Sequence, residues 1–350
     1  MAFHTLTVAA VEKLCDDAAA VTFEVPDELR DDYAFAAGQS LALRRVVDGV
    51  EERRSYSICA PVGARPRVGV REVPDGLFSR WLVRDVRPGT RIEVQTPTGR
   101  FRADPERGGR HLCIAAGSGI TPVLSIAASV LAGSPTAQVT LIYGNRRAAT
   151  VMFADELSDL KDRYGARFEL VHVLSREPRD VDLLSGRLDA DRLRTLLDLL
   201  VPTDAVDHVW LCGPYPMVEE ARTVLAELGV PAERVHRELF FVDEPPPPVE
   251  HAEPLPGGET SEVTLTIDGR SSTAALPRDR SILDGAQAVR SDLPFACKGG
   301  VCGTCRALVK EGTVDMRRNY ALEEAETAAG FVLTCQSYPV SPEVSVDYDA

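Results

Sequence analysis

The sequence predicts a multidomain protein: an antiparallel β-barrel, then an α/β domain with a doubly wound parallel sheet, then a small α+β domain. Three observations predict this order. Residues 1–104 contain short alternating segments between turn residues, and residues 105–243 alternate longer apolar runs with helical stretches. A proline-rich stretch, residues 244–260, then separates them from a cysteine-rich C-terminal region, residues 261–350. A length of 350 residues accommodates such an arrangement.

The composition is that of a core-forming globular chain, with 44% hydrophobic and 26% charged residues. A formal net charge of -14 argues against binding to nucleic acid or to an anionic membrane surface. There is no run of eighteen apolar residues and no basic region followed by an apolar stretch at the N-terminus. We therefore expect a cytoplasmic protein, and the scattered Cys15, Cys59, Cys113 and Cys212 are expected to be reduced core residues.

The first domain is predicted to be a barrel because its strand segments are short and regularly spaced. These segments are residues 5–11, 20–25, 40–46, 53–58 and 91–95. A polar patch that looks exposed, Arg54-Ser55-Tyr56-Ser57, lies on one of them. About twenty residues later, Gly76-Leu77-Phe78-Ser79 opens an amphipathic helix that continues to residue 82. The free amides at such a helix start are a natural phosphate site.

The second domain begins with a buried strand, residues 111–116, that leads through Gly117-Ser-Gly119-Ile120-Thr121-Pro122 into a helix ending near residue 130. Further strands are predicted at residues 138–143, 168–174 and 208–212, and further helices at residues 153–164, 189–200 and 214–228. This alternation implies a parallel doubly wound sheet. The glycine loop is not the Gly-x-Gly-x-x-Gly fingerprint, and this disfavours a Rossmann dehydrogenase.

Three later segments of this domain form or directly follow predicted strands. Cys212-Gly213-Pro214 follows a predicted strand, and residues 237–241, with Glu238 and Phe240, are predicted to form the last strand. Arg146 and the pair Ser175-Arg176 also follow strands, where a hydroxyl and guanidinium groups can converge on a 2'-phosphate. This favours NADPH over NADH, although NADH remains an alternative.

The C-terminal domain is predicted to begin with a hairpin, because Asp268-Gly269 separates two alternating segments, residues 262–267 and 271–276. Ser281 is expected to cap a helix that runs to residue 290. Strands at residues 307–310 and 344–347 and a helix at residues 322–328 complete a small mixed sheet.

Four cysteines give this domain its chemistry. Cys297, Cys302 and Cys305 are separated by four and two residues, and Cys335 follows about thirty residues later, the ligand spacing of plant-type [2Fe-2S] ferredoxins. The intervening glycines allow the tight turn that such a loop needs. A zinc ribbon or a disulfide knot is the alternative, but zinc ribbons favour two Cys-x2-Cys pairs. Residues 245–350 carry 16 acidic and 9 basic side chains, so their composition alone favours a basic partner.

Together these motifs resemble the ferredoxin-NADP reductase superfamily with a C-terminal beta-grasp ferredoxin domain. The resemblance implies that Arg54 holds a flavin phosphate, Tyr56 lies against the isoalloxazine and Ser57 bonds near its reactive nitrogen, with Glu238 and Phe240 close by. It implies that Thr121 and Cys212 flank the nicotinamide and that Ser175 and Arg176 bind a 2'-phosphate. The implied FAD contacts are Arg54, Ser55, Tyr56, Ser57, Gly76, Leu77, Phe78 and Ser79; the implied NADPH contacts are Gly117, Gly119, Ile120, Thr121, Pro122, Arg146, Ser175, Arg176, Cys212, Gly213 and Pro214.

Within the superfamily, Tyr143-Gly-Asn-Arg146, the loop Cys297–Cys305 and the tail around Cys335 are most similar to the reductase subunits of bacterial phenylacetyl-CoA epoxygenase complexes. This implies electron flow from NADPH to FAD, to the cluster and then to a multisubunit di-iron oxygenase in aromatic catabolism. No catalytic acid or base is essential to such a path. A reductase for a Rieske-type hydroxylase, for example of the ketosteroid class, and a non-enzymatic sensor of iron or redox state remain alternatives.

Overall fold

The computed structural model describes residues 2–47, 49–74, 76–240, 260–287, 289–290 and 292–350. The chain divides into two compact units, residues 1–240 and residues 241–350. The predicted linker, apart from Thr260, and Phe241 of the predicted last strand lie outside the described residues. None of the helices within the described ranges is long and apolar enough to cross a membrane.

The larger unit starts with the predicted antiparallel barrel. Its elements are β1 (Phe3–Cys15), β2 (Ala18–Glu24), β3 (Ser40–Val47), β4 (Val50–Ser57), β5 (Arg67–Arg71), α1 (Leu77–Arg84) and β6 (Arg91–Gln95). The strands lie in the order β4-β3-β6-β1-β2-β5, and a bridge between Ile58 and Val68 connects the two edges. Large apolar side chains such as Phe23 and Leu41 fill the interior. Strand β5 is an addition to the strands predicted from the sequence.

The second part of this unit is the predicted doubly wound α/β layer. Its elements are β7 (Arg110–Ala116), α2 (Ile120–Gly133), β8 (Gln138–Asn145), α3 (Ala154–Tyr164), β9 (Phe168–Leu174), α4 (Ala190–Leu200), β10 (His208–Cys212), α5 (Tyr215–Glu227) and β11 (Val235–Glu238). All neighbouring strands pair in parallel, in the order β11-β10-β7-β8-β9. The chain moves from β7 to β8 and β9 and then returns to the other side of β7. The switch point therefore lies between β7 and β10, where open α/β sheets bind ligands.

The smaller unit is a mixed sheet with short helices. Its elements are β12 (Thr260–Ile267), β13 (Arg270–Pro277), α6 (Ile282–Ala286), β14 (Arg306–Glu311), β15 (Val314–Met316), α7 (Glu324–Ala328), β16 (Phe331–Leu333), β17 (Ser337–Pro339) and β18 (Glu343–Asp347). The main sheet has the order β13-β12-β18-β14-β16, with β12 and β18 parallel. Asp268 and Gly269 both have positive φ, 50° and 68°, as a two-residue type I′ hairpin requires. The predicted hairpin is therefore confirmed.

The last strand of the larger unit and the first helix of the smaller unit end three and four residues earlier than predicted. Strand β11 begins at Val235 and ends at Glu238, because its parallel pairing with β10 starts at Val209 and stops where β10 itself stops, at Cys212. Helix α6 ends at Ala286, four residues before the predicted end.

Tertiary contacts made by Arg290 explain the early end of α6. Its guanidinium donates hydrogen bonds to the carbonyls of Ile267 and Arg270 on the hairpin and to the carboxylate of Asp292. These contacts hold the chain after α6 against the sheet.

Candidate flavin, nucleotide and iron–sulfur sites

The polar patch of β4 lies at one end of the barrel strand and is less exposed than its sequence suggests. Arg54 is exposed and donates a hydrogen bond to the carbonyl of Arg53 at 2.7 Å, whereas Ser57 is 3% exposed. Tyr56 is half-buried, and its ring centroid lies 6.1 Å from that of Phe78. Burial raises the pKa of Tyr56, so the phenol stays neutral. A neutral aromatic ring beside an exposed guanidinium suits a planar ring that carries a phosphate chain.

The start of α1 is the second predicted contact of the flavin. Gly76 is the N-cap and has no side chain with which to bond the first amides of the helix, so these remain available to a ligand. Ser79, 5% exposed, is turned to its own loop: its Oγ accepts from the Val73 amide at 3.1 Å and donates to the Gly76 carbonyl at 3.2 Å. Phe78 is buried, while Leu77 is 62% exposed. The backbone of this turn, more than the Ser79 hydroxyl, therefore fits a phosphate.

The glycine loop after β7 meets the loop after β10 at the switch point of the parallel sheet. A Cβ added to Gly119 would lie 2.1 Å from the carbonyl oxygen of Cys212, so only glycine allows this approach. The Gly117 carbonyl accepts a hydrogen bond from the hydroxyl of Tyr143 at 2.9 Å. This contact anchors the loop to β8. The structure thus brings the two predicted nicotinamide-side segments together.

The residues that follow Gly119 start helix α2. Ile120, Thr121 and Pro122 are all buried, and the Thr121 hydroxyl donates to the Ser118 carbonyl at 3.0 Å. Gly213 and Pro214 lie between β10 and α5, with Pro214 as the N-cap of α5. These residues shape the two loops, and their contacts with a nucleotide stay a prediction.

Glu238 is the last residue of β11 and lies beside the end of β10. Its Oε2 accepts a hydrogen bond from the Ser57 hydroxyl at 2.8 Å, across 181 residues of sequence. It is also the strand partner of Cys212. Burial raises the pKa of Glu238 to about 7, and the hydrogen bond from Ser57 opposes that rise. Burial also raises the pKa of Cys212, and the Glu238 carboxylate adds to this effect.

These contacts gather predicted residues of both domains. Ser57 comes from the barrel, and Glu238 and Cys212 from the parallel sheet. Phe240 is half-buried against the core of the parallel sheet rather than within a strand. A carboxyl group that changes charge near neutral pH is therefore placed between the predicted flavin and nicotinamide segments.

The predicted 2'-phosphate segments lie on adjacent strand ends. Backbone hydrogen bonds of 2.8 Å run from the Ser175 amide to the Asn145 carbonyl and from the Arg176 amide to the Arg146 carbonyl. Both arginines are exposed, and Ser175 is half-buried. The two guanidinium groups and the hydroxyl therefore start from neighbouring backbone positions. That arrangement fits a phosphate group.

Two side chains near the nucleotide loops are not among the candidate contacts predicted from the sequence. Arg71, at the end of β5, donates a hydrogen bond to the Thr150 carbonyl and forms an ion pair with Asp17 at 3.3 Å. Its Nη1 is 3.3 Å from the position that a Cβ on Gly117 would take. Tyr143 is the other, through its bond to the glycine loop. Tyr143 stands in the motif Tyr143-Gly-Asn-Arg146, which does not predict its bond to Gly117 inside the α/β domain. The contact of Arg71 with Thr150 depends on the packing of the barrel against the sheet.

The four predicted cluster ligands form two pairs. A thiol hydrogen bond from Cys302 lowers the pKa of Cys297 to about 6, and one from Cys305 lowers the pKa of Cys335. No group of three or more His, Cys, Asp or Glu side chains within the described residues is arranged around a single metal ion. Two thiol pairs instead suit a two-iron cluster held by four cysteines.

The backbone of the cysteine loop is shaped for sulfur ligands. Gly300 and Gly303 have φ values of 79° and 68°, and the Gly299 amide donates a hydrogen bond to Cys297 Sγ at 3.3 Å. Behind the loop, the Thr334 hydroxyl donates to the Cys305 carbonyl at 3.0 Å. The residues present therefore fit a [2Fe-2S] cluster. Phe295, two residues before Cys297, is 7% exposed and belongs to the core of this unit.

Comparison with protein families matches three models in series. Residues 5–103 match the oxidoreductase FAD-binding domain, residues 113–223 the oxidoreductase NAD-binding domain, and residues 265–340 the 2Fe-2S iron-sulfur cluster binding domain.

Two curated relatives align over almost the whole chain. A component of the 1,2-phenylacetyl-CoA epoxidase of Escherichia coli is 44% identical over 352 residues, covering 99% of this chain and 98% of the relative. The ferredoxin reductase component of the 3-ketosteroid-9-alpha-monooxygenase of Rhodococcus rhodochrous is 33% identical over 353 residues, covering 98% and 96%.

Among solved structures, phthalate dioxygenase reductase, described as a modular structure for electron transfer from pyridine nucleotides to [2Fe-2S], is 25% identical. The match covers 99% of this chain and 98% of that chain, with a TM-score of 0.62. The predicted fold class and domain types are confirmed by these matches.

Proposed function

The chain belongs to the family of FAD- and [2Fe-2S]-domain oxidoreductases that act as reductase components of multicomponent oxygenases, and we propose that it serves a phenylacetyl-CoA epoxidase. In this proposal electrons pass from NADPH through FAD and a [2Fe-2S] cluster to a multisubunit di-iron oxygenase. The observation that carries it is the 44% identity to the Escherichia coli epoxidase component over 99% of the chain. The location of the complex is proposed to be cytoplasmic.

When bound, FAD would take two electrons from the nicotinamide and deliver them singly to the cluster. The chain's own residues bind and orient. The exposed Arg54 and the uncapped amides of α1 would hold the phosphates of the flavin, and Tyr56 would lie against its ring. The close contact of Gly119 with Cys212 fixes the two loops that would position the nicotinamide.

NADPH is proposed as the electron donor because three suitable groups share one edge of the sheet. Arg146 and Arg176 supply positive charge, and Ser175 supplies a hydroxyl, at adjacent strand ends. The test is a comparison of kcat/KM for NADPH and NADH in the reduction of ferricyanide. A preference for NADH would contradict the proposed donor and leave the remaining path intact.

The second candidate is a reductase for a Rieske-type hydroxylase of the ketosteroid class. It is favoured by the 33% identity to the Rhodococcus component, which spans the same domains. A non-enzymatic sensor is disfavoured, because the flavin and nucleotide segments meet in the structure through the bond between Ser57 and Glu238.

The deciding experiment is an NADPH-driven single turnover with each purified oxygenase, with cluster reduction and reoxidation followed by absorbance. Rapid reoxidation by the phenylacetyl-CoA di-iron oxygenase alone supports the proposal. Reoxidation by a Rieske oxygenase alone would assign the second candidate. A cluster that NADPH never reduces would contradict both.

A further inference from the structure

Two of the four predicted cluster ligands are partly exposed to solvent and the other two are buried. Cys305 and Cys335 are 2% and 6% exposed, whereas Cys297 and Cys302 are partly exposed. An external protein can therefore approach a cluster most closely along the loop that carries Cys297 and Cys302.

A second segment borders this loop. The Tyr320 amide donates a hydrogen bond to the Gly300 carbonyl at 3.1 Å, and the Arg317 amide donates to the Gln336 carbonyl at 2.9 Å. The Gln336 side chain in turn donates to the Lys298 carbonyl at 2.8 Å. We call residues 297–304 and 317–321 together the cluster rim.

The charge of the cluster rim is opposite to that of the unit around it. The rim carries Lys298, Arg317 and Arg318 and no acidic residue. The other described residues of this unit carry six basic side chains and thirteen acidic ones. The expectation of a basic partner, which rested on the composition alone, does not apply to the surface closest to the cluster.

Two carboxylates from outside the rim offset part of its charge. Asp284 lies 2.8 Å from the ammonium of Lys298, and Asp315 lies 3.5 Å from the guanidinium of Arg317. The side chains of Lys298 and Asp284 are 41% and 49% exposed, and exposed pairs of this kind are weak and screened by salt. The carboxylates of a partner can therefore replace them.

An exposed apolar side chain follows closely after a residue that Lys298 contacts. Lys298 also donates a hydrogen bond to Gln287 at 2.8 Å, and Val289, two residues beyond Gln287, is 63% exposed. A small apolar contact next to basic groups is suited to a brief electron-transfer encounter, in which charge guides association and little area is buried.

We infer that the cluster rim, with Lys298, Arg317 and Arg318, is the docking surface for an acidic face of the protein that accepts electrons. This inference rests on the proposed function for its role in oxygenase reduction. Its physical content, attraction of acidic acceptors to the rim, can be measured with any acidic redox protein.

The test compares two double variants with equal changes of net charge. Lys298→Gln/Arg318→Gln neutralises two rim charges, and Arg270→Gln/Lys310→Gln neutralises two charges elsewhere in the unit. Lys310 lies five residues along β14 from Cys305, or about 16 Å, and Arg270 lies on β13, three strands or about 14 Å from β14. Lys298, Arg270 and Lys310 are exposed and Arg318 is half-buried, and each variant is used as the full-length, cofactor-loaded protein.

Reduced protein is mixed with cytochrome b5, an acidic acceptor, or cytochrome c, a basic one, and cluster reoxidation is followed by stopped flow. A Cys297→Ser variant measures any direct electron loss from the flavin. For the wild type with cytochrome b5, we expect the rate to fall about fivefold or more between 30 and 300 mM salt. The rim variant should lose about fivefold at low salt, and the control variant less than twofold.

Cytochrome c should show no such loss with salt. A wild-type rate that is highest with cytochrome c at low salt, or equal rates for the two double variants, would overturn the inference. A third result would also overturn the inference: the rim variant shows slower NADPH-driven reduction of its cluster but unchanged electron transfer to both cytochromes. The rim would then serve the flavin-binding unit of the same chain.

The same variants are then mixed with the purified phenylacetyl-CoA oxygenase. Failure of the wild type to reduce this oxygenase, with the expected cytochrome results, would refute the proposed function and leave the docking surface supported. Transfer to the oxygenase at the wild-type rate by the rim variant would support the proposed function and refute the docking surface.

Discussion

Replacement of Glu238 by Gln should stabilise the protein at alkaline pH and leave its stability almost unchanged at pH 4.5. Burial raises the pKa of this carboxyl to about 7, from an ordinary value of 4.5. The protonated carboxyl makes its full contribution to the free energy of unfolding below pH 4.5, where it is protonated in both the folded and the unfolded protein. This contribution is lost as the pH rises through 7. Above pH 7, the folded protein carries a half-buried carboxylate that Gln does not have.

The size of this effect follows from the shift. A difference of about 2.5 units in pKa corresponds to about 3 kcal/mol in the free energy of unfolding. Because part of the Glu238 side chain is open to solvent, we expect about 1 to 2 kcal/mol at pH 8.5. Ser57→Ala removes the hydrogen bond that lowers the pKa of Glu238, so the pH range of the loss should move upward.

Urea unfolding at pH 4.5 and pH 8.5 is the assay, on wild-type and variant protein. Glu169→Gln is the matched control, because Glu169 is an exposed residue on β9 of the same sheet. A Glu238→Gln variant with the same difference in stability at both pH values, or with lower stability at pH 8.5, would refute the assignment of a buried, proton-holding carboxyl. The pH dependence of NADPH oxidation should also lose its transition near pH 7 in this variant.

Three further predictions concern separate parts of the chain. Burial lowers the pKa of His111 to about 4, so the free energy of unfolding should fall by about 2 to 3 kcal/mol as the pH falls from 6.5 towards 4. His111→Phe should remove this pH dependence, as measured by urea unfolding at pH 7.5 and 4.5. Gly119→Ala should destabilise the protein by about 2 to 4 kcal/mol and raise the KM for NADPH, since its Cβ would meet the Cys212 carbonyl at 2.1 Å; unchanged melting and KM would contradict the close approach. Arg176→Ala should raise the KM for NADPH about tenfold or more and leave that for NADH within twofold; equal effects on both would show that Arg176 does not read the 2'-phosphate.

Local sequence patterns predicted most of the architecture. Alternating strands and helices in residues 105–243 gave the parallel sheet and its order of elements, because each βαβ unit is specified by its own apolar periodicity. Asp268-Gly269 placed the hairpin, since the turn type depends only on these two residues. The spacing of the four cysteines likewise selected a two-iron site, because most of the loop geometry is contained in nine residues.

The ends of some helices and strands, and the contacts of residues that no motif predicts, depended on partners distant in the sequence. Strand β11 ends where its neighbour β10 ends, and α6 ends four residues before Arg290, which bonds to the hairpin. Neither limit is written in the local sequence, because both are set by pairing across the sheet. The same reason applies to Arg71, whose hydrogen bond to Thr150 forms only when the barrel meets the α/β layer.

The sequence by itself determined the three domain types, the family and the candidate ligands, since each rests on a short motif or a local period. Tertiary structure alone decided that Ser57 donates to Glu238 and that this carboxyl has a pKa near 7, because the pair is joined by chain folding over 181 residues. It also decided the sign of charge beside the cluster. Composition describes a whole domain as acidic, whereas a partner at short range responds to the few charges nearest the cluster, here Lys298, Arg317 and Arg318.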